Sequence, residues 1–440
     1  MTEDAQGHAW SGATAESVAL FDEAVRAFTL VHGDTVGLLD SARAAAPGFA
    51  MAHLAKAWVF AMANDPVMAE QGRGLLRTLG ALALNAQEQA HYAALSHALE
   101  GHRAAAVTVL DRLLMQYPHD LIAHQAAALL DGFLGRFPQV RARSARAMPA
   151  WAAHQPNYGI MLSFLGFGLE EAGDYARAEE IARQAAELEP LGFWPHHTVA
   201  HVMEMTGRPE DGLGWMVARE PLWSTPAHAN QVHIWWHKAL FHVELGQFDA
   251  ALALYDGPIR ATQRRLAISL TNASALLWRL WALGHDVGSR WDELAALWSD
   301  HADGRICVFA DVHAAMAELG AGQVAAVRQR LAAMERTAAD GTEAAPIYRD
   351  IGLPAMRGLL AFHAGAYGQA VEQLLPARYD LWKLGGSHAQ RDIIDWTLTE
   401  AAIRAGQRSI ALSLCNERLA ARPRSIPNRD FHARAEALAA

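Results

Sequence analysis

Nine glycines recur at nearly regular intervals along this chain of 440 residues. They are Gly101, Gly135, Gly173, Gly207, Gly246, Gly284, Gly320, Gly365 and Gly406. The intervals between them are 34, 38, 34, 39, 38, 36, 45 and 41 residues. Periods of this length are typical of helical-hairpin repeats, in which each repeat packs only against its neighbours. We therefore predict an all-α solenoid rather than a fold with a single closed core.

The segment 161–190 shows the repeat most completely. Gly166 and Ala178 are small at the points where the two helices of one hairpin meet. Gly173 ends the first helix, where a left-handed cap needs no Cβ, and Pro190 ends the second. These spacings match a tetratricopeptide repeat. The predicted fold is therefore a tetratricopeptide-type superhelix of helix-turn-helix repeats.

The whole chain, 1–440, is expected to form one solenoid domain, because no flexible linker interrupts it. Residues 1–86 are predicted to be atypical N-terminal helices, since terminal repeats often differ from internal ones. Residues 87–425 are predicted to form about nine hairpins, and 426–440 a C-terminal tail. The long connection 285–306 is expected to carry a helix of its own.

Composition narrows the expected partners and location. The formal net charge is −10, which argues against nucleic acid or an anionic membrane as partner. The first thirty residues lack the basic start of a signal peptide, and no apolar run is long enough for a membrane span. The two cysteines, Cys307 and Cys415, are far apart, as expected in a reducing compartment. We predict a cytoplasmic protein; its oligomeric state is not indicated.

Histidine and tryptophan are unusually frequent, with 22 and 14 residues. The first helix of each repeat lines the concave face of a tetratricopeptide solenoid. In the Gly207 repeat this face holds His197, His201 and Glu204, whose i, i+4, i+7 spacing also sets them on one helix face. In the Gly246 repeat it holds His233 and Trp236, with His237 beside them; His91 occupies such a position in the Gly101 repeat. The sequence thus predicts a histidine-rich pocket.

The segment GGSHAQRDI, residues 385–393, forms a second group of polar residues. Ser387 can cap a helix that begins near His388, which places Gln390, Arg391 and Asp392 in its first turn. The positive end of the helix dipole and Arg391 together favour an anion. Asp392 has an equally plausible role in compensating the dipole.

Three stretches together resemble the tetratricopeptide repeat protein 38 family. They are HHTVAHVMEMTGR (196–208), HIWWHKALFHVELGQFDAALALYD (233–256) and GGSHAQRDI (385–393), the last extended by LPARYDLWKLGG (375–386). The resemblance spans about residues 15 to 430 and implies an α-solenoid. It does not imply a particular activity.

Two functions remain open. A binding module would hold a small molecule or peptide segment, with an anionic group, through His197, His233, Trp236, His237, Gln390 and Arg391. An enzyme, a hydrolase or lyase, would instead use His201, Glu204, His388 and Asp392 for acid–base chemistry.

The side-chain types of His197, His201 and Glu204 also suit Zn or Fe, but they lack the H-E-x-x-H motif, and no metal ligand is assigned. No nucleophile, phosphate-loop or dinucleotide motif appears, so no cofactor is indicated.

Overall fold

The computed structural model describes residues 2–80, 82–260, 266–301 and 307–439, and these are helical without any extended strand. The α-helices are α1 (Ala15–Leu30), α2 (Thr35–Ala45), α3 (Ala50–Met62), α4 (Pro66–Leu79), α5 (Ala86–Leu99), α6 (Arg103–Gln116), α7 (Leu121–Phe133), α8 (Phe137–Ala147), α9 (Tyr158–Glu171), α10 (Tyr175–Leu188), α11 (Phe193–Met205), α12 (Pro209–Trp223), α13 (Gln231–Glu244), α14 (Phe248–Leu254), α15 (Ala267–Ala282), α16 (Arg290–Trp298), α17 (Val308–Gly320), α18 (Val324–Ala339), α19 (Ala345–Ile347), α20 (Leu353–His363), α21 (Tyr367–Ala377), α22 (His388–Arg404), α23 (Arg408–Ala421) and α24 (Ile426–Glu436). Short 3₁₀ or π segments cover Met148–Ala150, Tyr255–Ile259, Tyr348–Gly352 and Arg378–Leu384. The predicted all-α solenoid of tetratricopeptide-like hairpins is confirmed.

Eight of the nine marker glycines lie between paired helices at φ values from +65° to +91°. Only glycine adopts this left-handed conformation without strain, which explains the regular spacing. Gly320 is the exception, since it is the last residue of α17, and Gly322 (φ +72°) makes the turn into α18. Gly320 instead allows close packing, because a Cβ there would lie 2.2 Å from the ring of Trp291. In this repeat the marker glycine ends the first helix, and the turn itself lies two residues later.

The chain divides into two compact units. The first comprises Met1–Val199 and Pro221–Gln231, and the second comprises Ala200–Glu220 and Val232–Ala440. Each unit is described on its own below. None of the described helices combines the length and the apolar character needed to cross a bilayer.

In the first unit the hairpin of α9 and α10 packs as the repeat pattern predicts. The Cα of Gly166 faces Ala182, whose Cβ would lie 3.5 Å from a Cβ added at the glycine. A separate buried network in this unit involves His91, which was predicted to face the groove. His91 receives a hydrogen bond from Trp58 Nε1 (3.1 Å) and contacts Asp120 at 2.8 Å. Both ring nitrogens of His91 therefore hold the fold together.

The second unit is closed by contacts between helices far apart in sequence. The indole of Trp278 on α15 donates to Thr397 on α22 at 2.9 Å, and Arg404 of α22 donates to the carbonyl of Ala282 at 2.7 Å. The last hairpin thus packs directly against a hairpin from the middle of the chain. The segment 426–440, expected as a tail, contains helix α24, whose buried Phe431 packs on Trp396 with ring centroids 5.0 Å apart.

The predicted helix within the connection 285–306 is present as α16. Its Trp298 is buried and its indole donates to Ser274 at 2.9 Å, which fixes the helix on α15. Residues 302–306 of this connection lie outside the described residues.

Candidate ligand-binding site

The second unit gathers polar side chains from the first helices of several hairpins. Helix α11 supplies His201 and Glu204, α13 supplies His233, Trp236 and His237, and α22 supplies His388. The first five of these are at most 5% exposed. The residues predicted on three separate helices of this unit therefore do share its interior.

Four side chains form a continuous hydrogen-bonded series, which we call the imidazole chain. Glu204 Oε2 lies 3.1 Å from His237 Nδ1, His237 Nε2 lies 3.3 Å from His233 Nε2, and His233 Nδ1 lies 2.8 Å from Asn272 Oδ1. The rings of His233 and Trp236 stack with centroids 5.4 Å apart. The indole thus holds the plane of one imidazole while hydrogen bonds hold its two nitrogens.

The direction of the imidazole chain follows from Asn272, whose amide nitrogen donates to the carbonyl of Ile268 at 2.8 Å. Its Oδ1 can only accept, so His233 carries a hydrogen on Nδ1 and accepts at Nε2 from His237. Neutral His237 must then accept at Nδ1, so the hydrogen of its bond to Glu204 comes from the carboxyl group. Burial raises the pKa of Glu204 to about 7, in agreement with this arrangement.

Three imidazoles of this interior, those of His233, His237 and His388, are held neutral. Burial lowers the pKa of His233 to about 4, and burial together with His201 and His233 lowers the pKa of His237 well below its usual value. Burial, Arg391 and His201 lower the pKa of His388 to about 4. Neutral imidazoles are the form that binds metals and accepts protons. His201 on α11 is therefore close enough to His388 on α22 to affect its pKa.

A second group, which we call the arginine cluster, surrounds Asp392. The Asp392 carboxylate accepts from Arg418 at 2.9 and 3.2 Å and from Arg422 at 2.7 Å, and lies 3.9 Å from Arg279. Burial alone would raise the pKa of Asp392, but the nearby guanidinium groups hold it well below its usual range. Asp392 is therefore a fixed anion that orients arginines.

Arg279 differs from the other arginines of the cluster. It is 2% exposed, and its guanidinium donates to the backbone carbonyls of Ala389 (3.0 Å) and Ala275 (3.3 Å). Its carbon Cζ lies 5.7 Å from the ring centre of Trp236 and 6.0 Å from that of Trp396. Burial lowers the pKa of Arg279 to about 10. A buried cation thus lies between two indoles without a carboxylate in direct hydrogen-bond contact among the described residues.

Several residues predicted for the site have other tasks. Gln390 Oε1 accepts from the backbone N–H of Ser387 at 3.0 Å, so this side chain caps α22 instead of facing a ligand. Asp392, predicted as a partner of His388, is bound by arginines instead. Arg391 is buried and its guanidinium donates to the carbonyl of Gly386. An anion at the start of α22 would therefore have to compete with the hydrogen bonds that Gln390 and Arg391 already make to the backbone.

His197 belongs to the first unit, where its ring stacks on Phe193 with centroids 4.6 Å apart. Its predicted part in binding stays a prediction. His313, in the second unit, is buried and contacts the carbonyl of Phe309 through Nδ1 at 2.7 Å. The nearby Asp311 accepts a hydrogen bond from Arg330 at 3.0 Å, so Asp311 and His313 do not form an acid–base pair.

Asn272, Arg279, Arg418 and Arg422 are functional candidates that the sequence analysis missed. Arg279 directly follows the buried Trp278 on α15. Arg422 contacts Glu244 at 3.4 Å and lies 4.0 Å from Glu204, so it links the arginine cluster to the imidazole chain. No local motif distinguishes these residues from the other arginines of an arginine-rich chain.

No family model matches the chain. Three solved structures are similar to it. The human IFIT1 dimer with m7Gppp-AAAA is 15% identical with a TM-score of 0.43, covering 96% of this chain and 95% of that one. A monomeric IFIT1 mutant with m7Gppp-AAAA is 14% identical with a TM-score of 0.42, covering 97% and 96%. The Naa15/Naa10 complex bound to HypK-THB is 12% identical with a TM-score of 0.24, covering 96% and 60%.

The helical hairpins and their glycine turns define the chain as a helical-repeat protein of the tetratricopeptide-like class. The finer resemblance to the tetratricopeptide repeat protein 38 family stays a prediction. The two IFIT1 proteins were solved with a capped oligonucleotide, against the expectation that nucleic acid is excluded as a partner, and that expectation is withdrawn. A net negative charge summed over a whole chain does not describe the charge of one interior surface, and here that surface is rich in arginine.

Proposed function

We propose that the interior of the second unit binds a small molecule through an anionic group that contacts Arg279. The observation that carries this proposal is the buried guanidinium of Arg279, which donates only to backbone carbonyls among the described residues. Asp392, the nearest carboxylate, is 3.9 Å away and already accepts from Arg418 and Arg422. Arg279 thus shares its nearest carboxylate with two other arginines. A buried cation that is only partly compensated is costly unless an anion joins it.

Two indoles add unused donors to the same region. The Nε1 atoms of Trp236 and Trp396 are buried and find no hydrogen-bond acceptor among the described residues. Buried N–H groups normally have a hydrogen-bond acceptor, and a ligand with several acceptor oxygens would supply one to each of these two indoles. The aromatic faces beside Arg279 would also contact the apolar part of such a ligand.

The burial of these groups favours a small molecule over a peptide. Arg279, Trp236, Trp396 and His233 are each at most 5% exposed. A peptide segment needs a groove open along its length, whereas a small ligand can be enclosed on all sides. The anionic group is therefore expected to be a carboxylate, a phosphate or a sulfate on a compact molecule.

The test combines native mass spectrometry of protein purified without added ligand with thermal-shift titrations of inorganic phosphate, sulfate and succinate. We expect a bound small mass, or stabilisation by at least one of these anions, in the unmodified protein. Both should be lost in Arg279→Gln and partly kept in Arg279→Lys, which retains the charge. Arg357→Gln, at an exposed ion pair with Glu335, is the matched control. Equal binding by Arg279→Gln, or no binding by any method, would contradict the proposal.

A second candidate function, acid–base catalysis, is favoured by the 3.1 Å contact of Glu204 with His237. A carboxyl group that hydrogen-bonds an imidazole can deliver or remove a proton at a bound ligand, as a hydrolase or lyase requires. The test is conversion of the co-purified small molecule, followed by mass spectrometry. Glu204→Gln should keep the hydrogen bond and ligand binding but stop conversion. Unchanged conversion in this variant would remove the candidate.

A further inference from the structure

We propose that His201, His233 and His237 bind a divalent transition-metal ion, with Zn²⁺ as the best match, in the interior of the second unit. This site is independent of the proposed anion, because it uses the imidazole chain and not Arg279. Either proposal can therefore fail while the other stands.

The first argument is the spacing of the imidazole nitrogens. The Nε2 atoms of His233 and His237 lie 3.3 Å apart. Two ligands at the usual Zn–N distance in a tetrahedral site are separated by about 3.3–3.4 Å. The two nitrogens are therefore already as far apart as two ligands of one zinc ion. One nitrogen of His201 lies within 4.8 Å of a nitrogen of each of the other two, so a shift of roughly 1.5 Å completes three ligands.

The second argument is the orientation of the two rings. A histidine that binds a metal usually donates its other ring N–H to a carboxylate or an amide or backbone oxygen. His237 has Glu204 at its Nδ1 and His233 has Asn272 Oδ1 at its Nδ1, at 3.1 and 2.8 Å. In both rings Nε2 is therefore the nitrogen left to bind an ion. Without an ion, the two Nε2 atoms face each other across a hydrogen bond between two neutral imidazoles.

The third argument is the chemistry of the surroundings. All three imidazoles are at most 5% exposed, and Trp236 stacks on His233 along one side. Three imidazole ligands suit Zn²⁺, Co²⁺, Ni²⁺ or Cu²⁺ better than Mg²⁺ or Ca²⁺, which prefer oxygen. The rings of His201 and His237 lie 4.6 Å apart, close enough to share one ion.

Metal binding changes the hydrogens of the imidazole chain in a defined way. The ion replaces the hydrogen on Nε2 of His237, which leaves as a proton. The hydrogen between Glu204 and His237 then resides on Nδ1, which donates to the ionised carboxylate. His233 keeps its hydrogen toward Asn272 and binds the ion through the lone pair on Nε2. One proton is released for each ion bound, and charge and atoms balance.

The experiment uses the full chain, stripped with a chelator and then titrated with Zn²⁺ and Co²⁺ alone. We expect one equivalent of tightly bound Zn²⁺, and for Co²⁺ the intense visible absorption of a four-coordinate site. His233→Gln and His237→Gln should each reduce affinity at least 100-fold. His313→Gln is the matched control, since His313 is equally buried in the same unit but bonds Phe309.

Two further variants separate this site from trivial explanations. Asn272→Leu removes the group that orients His233 but no ligand, and should weaken Zn²⁺ binding by about 10–100-fold. His102→Gln alters an exposed cluster of His97, Glu100 and His102, where adventitious ions could bind, and should change nothing. Circular dichroism and the thermal midpoint of the stripped variants verify folding. The proposal is overturned if the unmodified protein binds no tight equivalent, or if His102→Gln or His313→Gln loses it instead.

Discussion

The indole Nε1 of Trp278 donates a hydrogen bond of 2.9 Å to Oγ1 of Thr397, although 119 residues separate them in the chain. Both side chains are buried. A solenoid usually gains its stability from neighbouring repeats only, whereas this contact joins the middle of the second unit to its last hairpin. The second unit therefore depends on long-range polar contacts as well as on stacking of adjacent helices.

We expect Thr397→Val to destabilise the protein by about 1–3 kcal/mol, because it leaves the buried indole N–H of Trp278 without an acceptor. Thr399→Val is the matched control. Thr399 is as buried as Thr397, and its hydroxyl likewise bonds a carbonyl of its own helix, that of Asp395 at 2.7 Å. Chemical denaturation measures both free energies of unfolding. Equal losses in the two variants would show that the indole contact contributes nothing.

We expect Asp392→Asn to lower the free energy of unfolding by about 3 kcal/mol, because removal of one partner leaves buried cations uncompensated. Arg418 and Arg422 both lose their charged acceptor in this variant. Asp430→Asn, at an exposed contact with Arg434, should stay within about 0.5 kcal/mol of the unmodified protein. Urea unfolding followed by circular dichroism compares them. A neutral Asp392→Asn would mean that the cluster is already satisfied by other groups.

Replacement by alanine should lower the stability of the protein at a turn glycine and raise it at an exposed glycine inside a helix. Gly173 has a φ of +81°, so Gly173→Ala should cost about 1 kcal/mol of strain even though the added Cβ meets no atom. Gly214 lies inside α12 with open space around it, so Gly214→Ala should gain about 0.5–1 kcal/mol. The two thermal midpoints should therefore move apart. A gain in Gly173→Ala would contradict the left-handed turn.

Stability should depend on pH through His124 in the first unit. Burial lowers the pKa of His124 to about 4, and its Nε2 lies 3.1 Å from the carbonyl of Pro118. The pKa of His124 in the folded protein is below the unfolded value near 6.5, so the unfolded chain binds a proton first as the pH falls. The contribution of neutral His124 to the free energy of unfolding is therefore fully present above pH 6.5 and is lost as the pH falls toward 4.

The measurement is the free energy of unfolding of the unmodified protein and of His124→Gln at pH 7 and at pH 4.5. On going from pH 7 to pH 4.5, the unmodified protein should lose about 2 kcal/mol more free energy of unfolding than His124→Gln. His154→Gln, at an exposed position, should show no such change. A constant difference for His124→Gln would mean that this histidine accepts a proton in the folded protein without penalty.

The hairpins could be predicted from the sequence because each turn imposes a local conformation that only glycine tolerates. The exception, Gly320, shows the limit of that rule. Gly320 and Gly322 are two residues apart, and only the structure shows that one lies against Trp291 while the other turns the chain. A glycine needed for close packing and a glycine needed for a positive φ look alike in a sequence.

The site was predictable where helical spacing alone decides the direction of a side chain, as for His233 and His237. It was not predictable for Arg279, since its lack of a close carboxylate depends on how Arg418 and Arg422 share Asp392. Such competition involves residues more than 100 positions away. The cap formed by Ser387 and Gln390, in contrast, is a local capping box that the pattern S-x-x-Q already contains.

The bonds from α23 to Asp392 have a consequence for synthesis of the protein. Hairpins of a repeat protein can fold one after another as a nascent chain leaves the ribosome. Here Arg418 and Arg422 must emerge before Asp392 is neutralised beside Arg279. Until then Asp392 on α22 lacks both of these partners, and the indole of Trp396 on the same helix lacks the guanidinium of Arg418 that packs on it. Chaperones that hold newly made chains should therefore engage this protein late in translation.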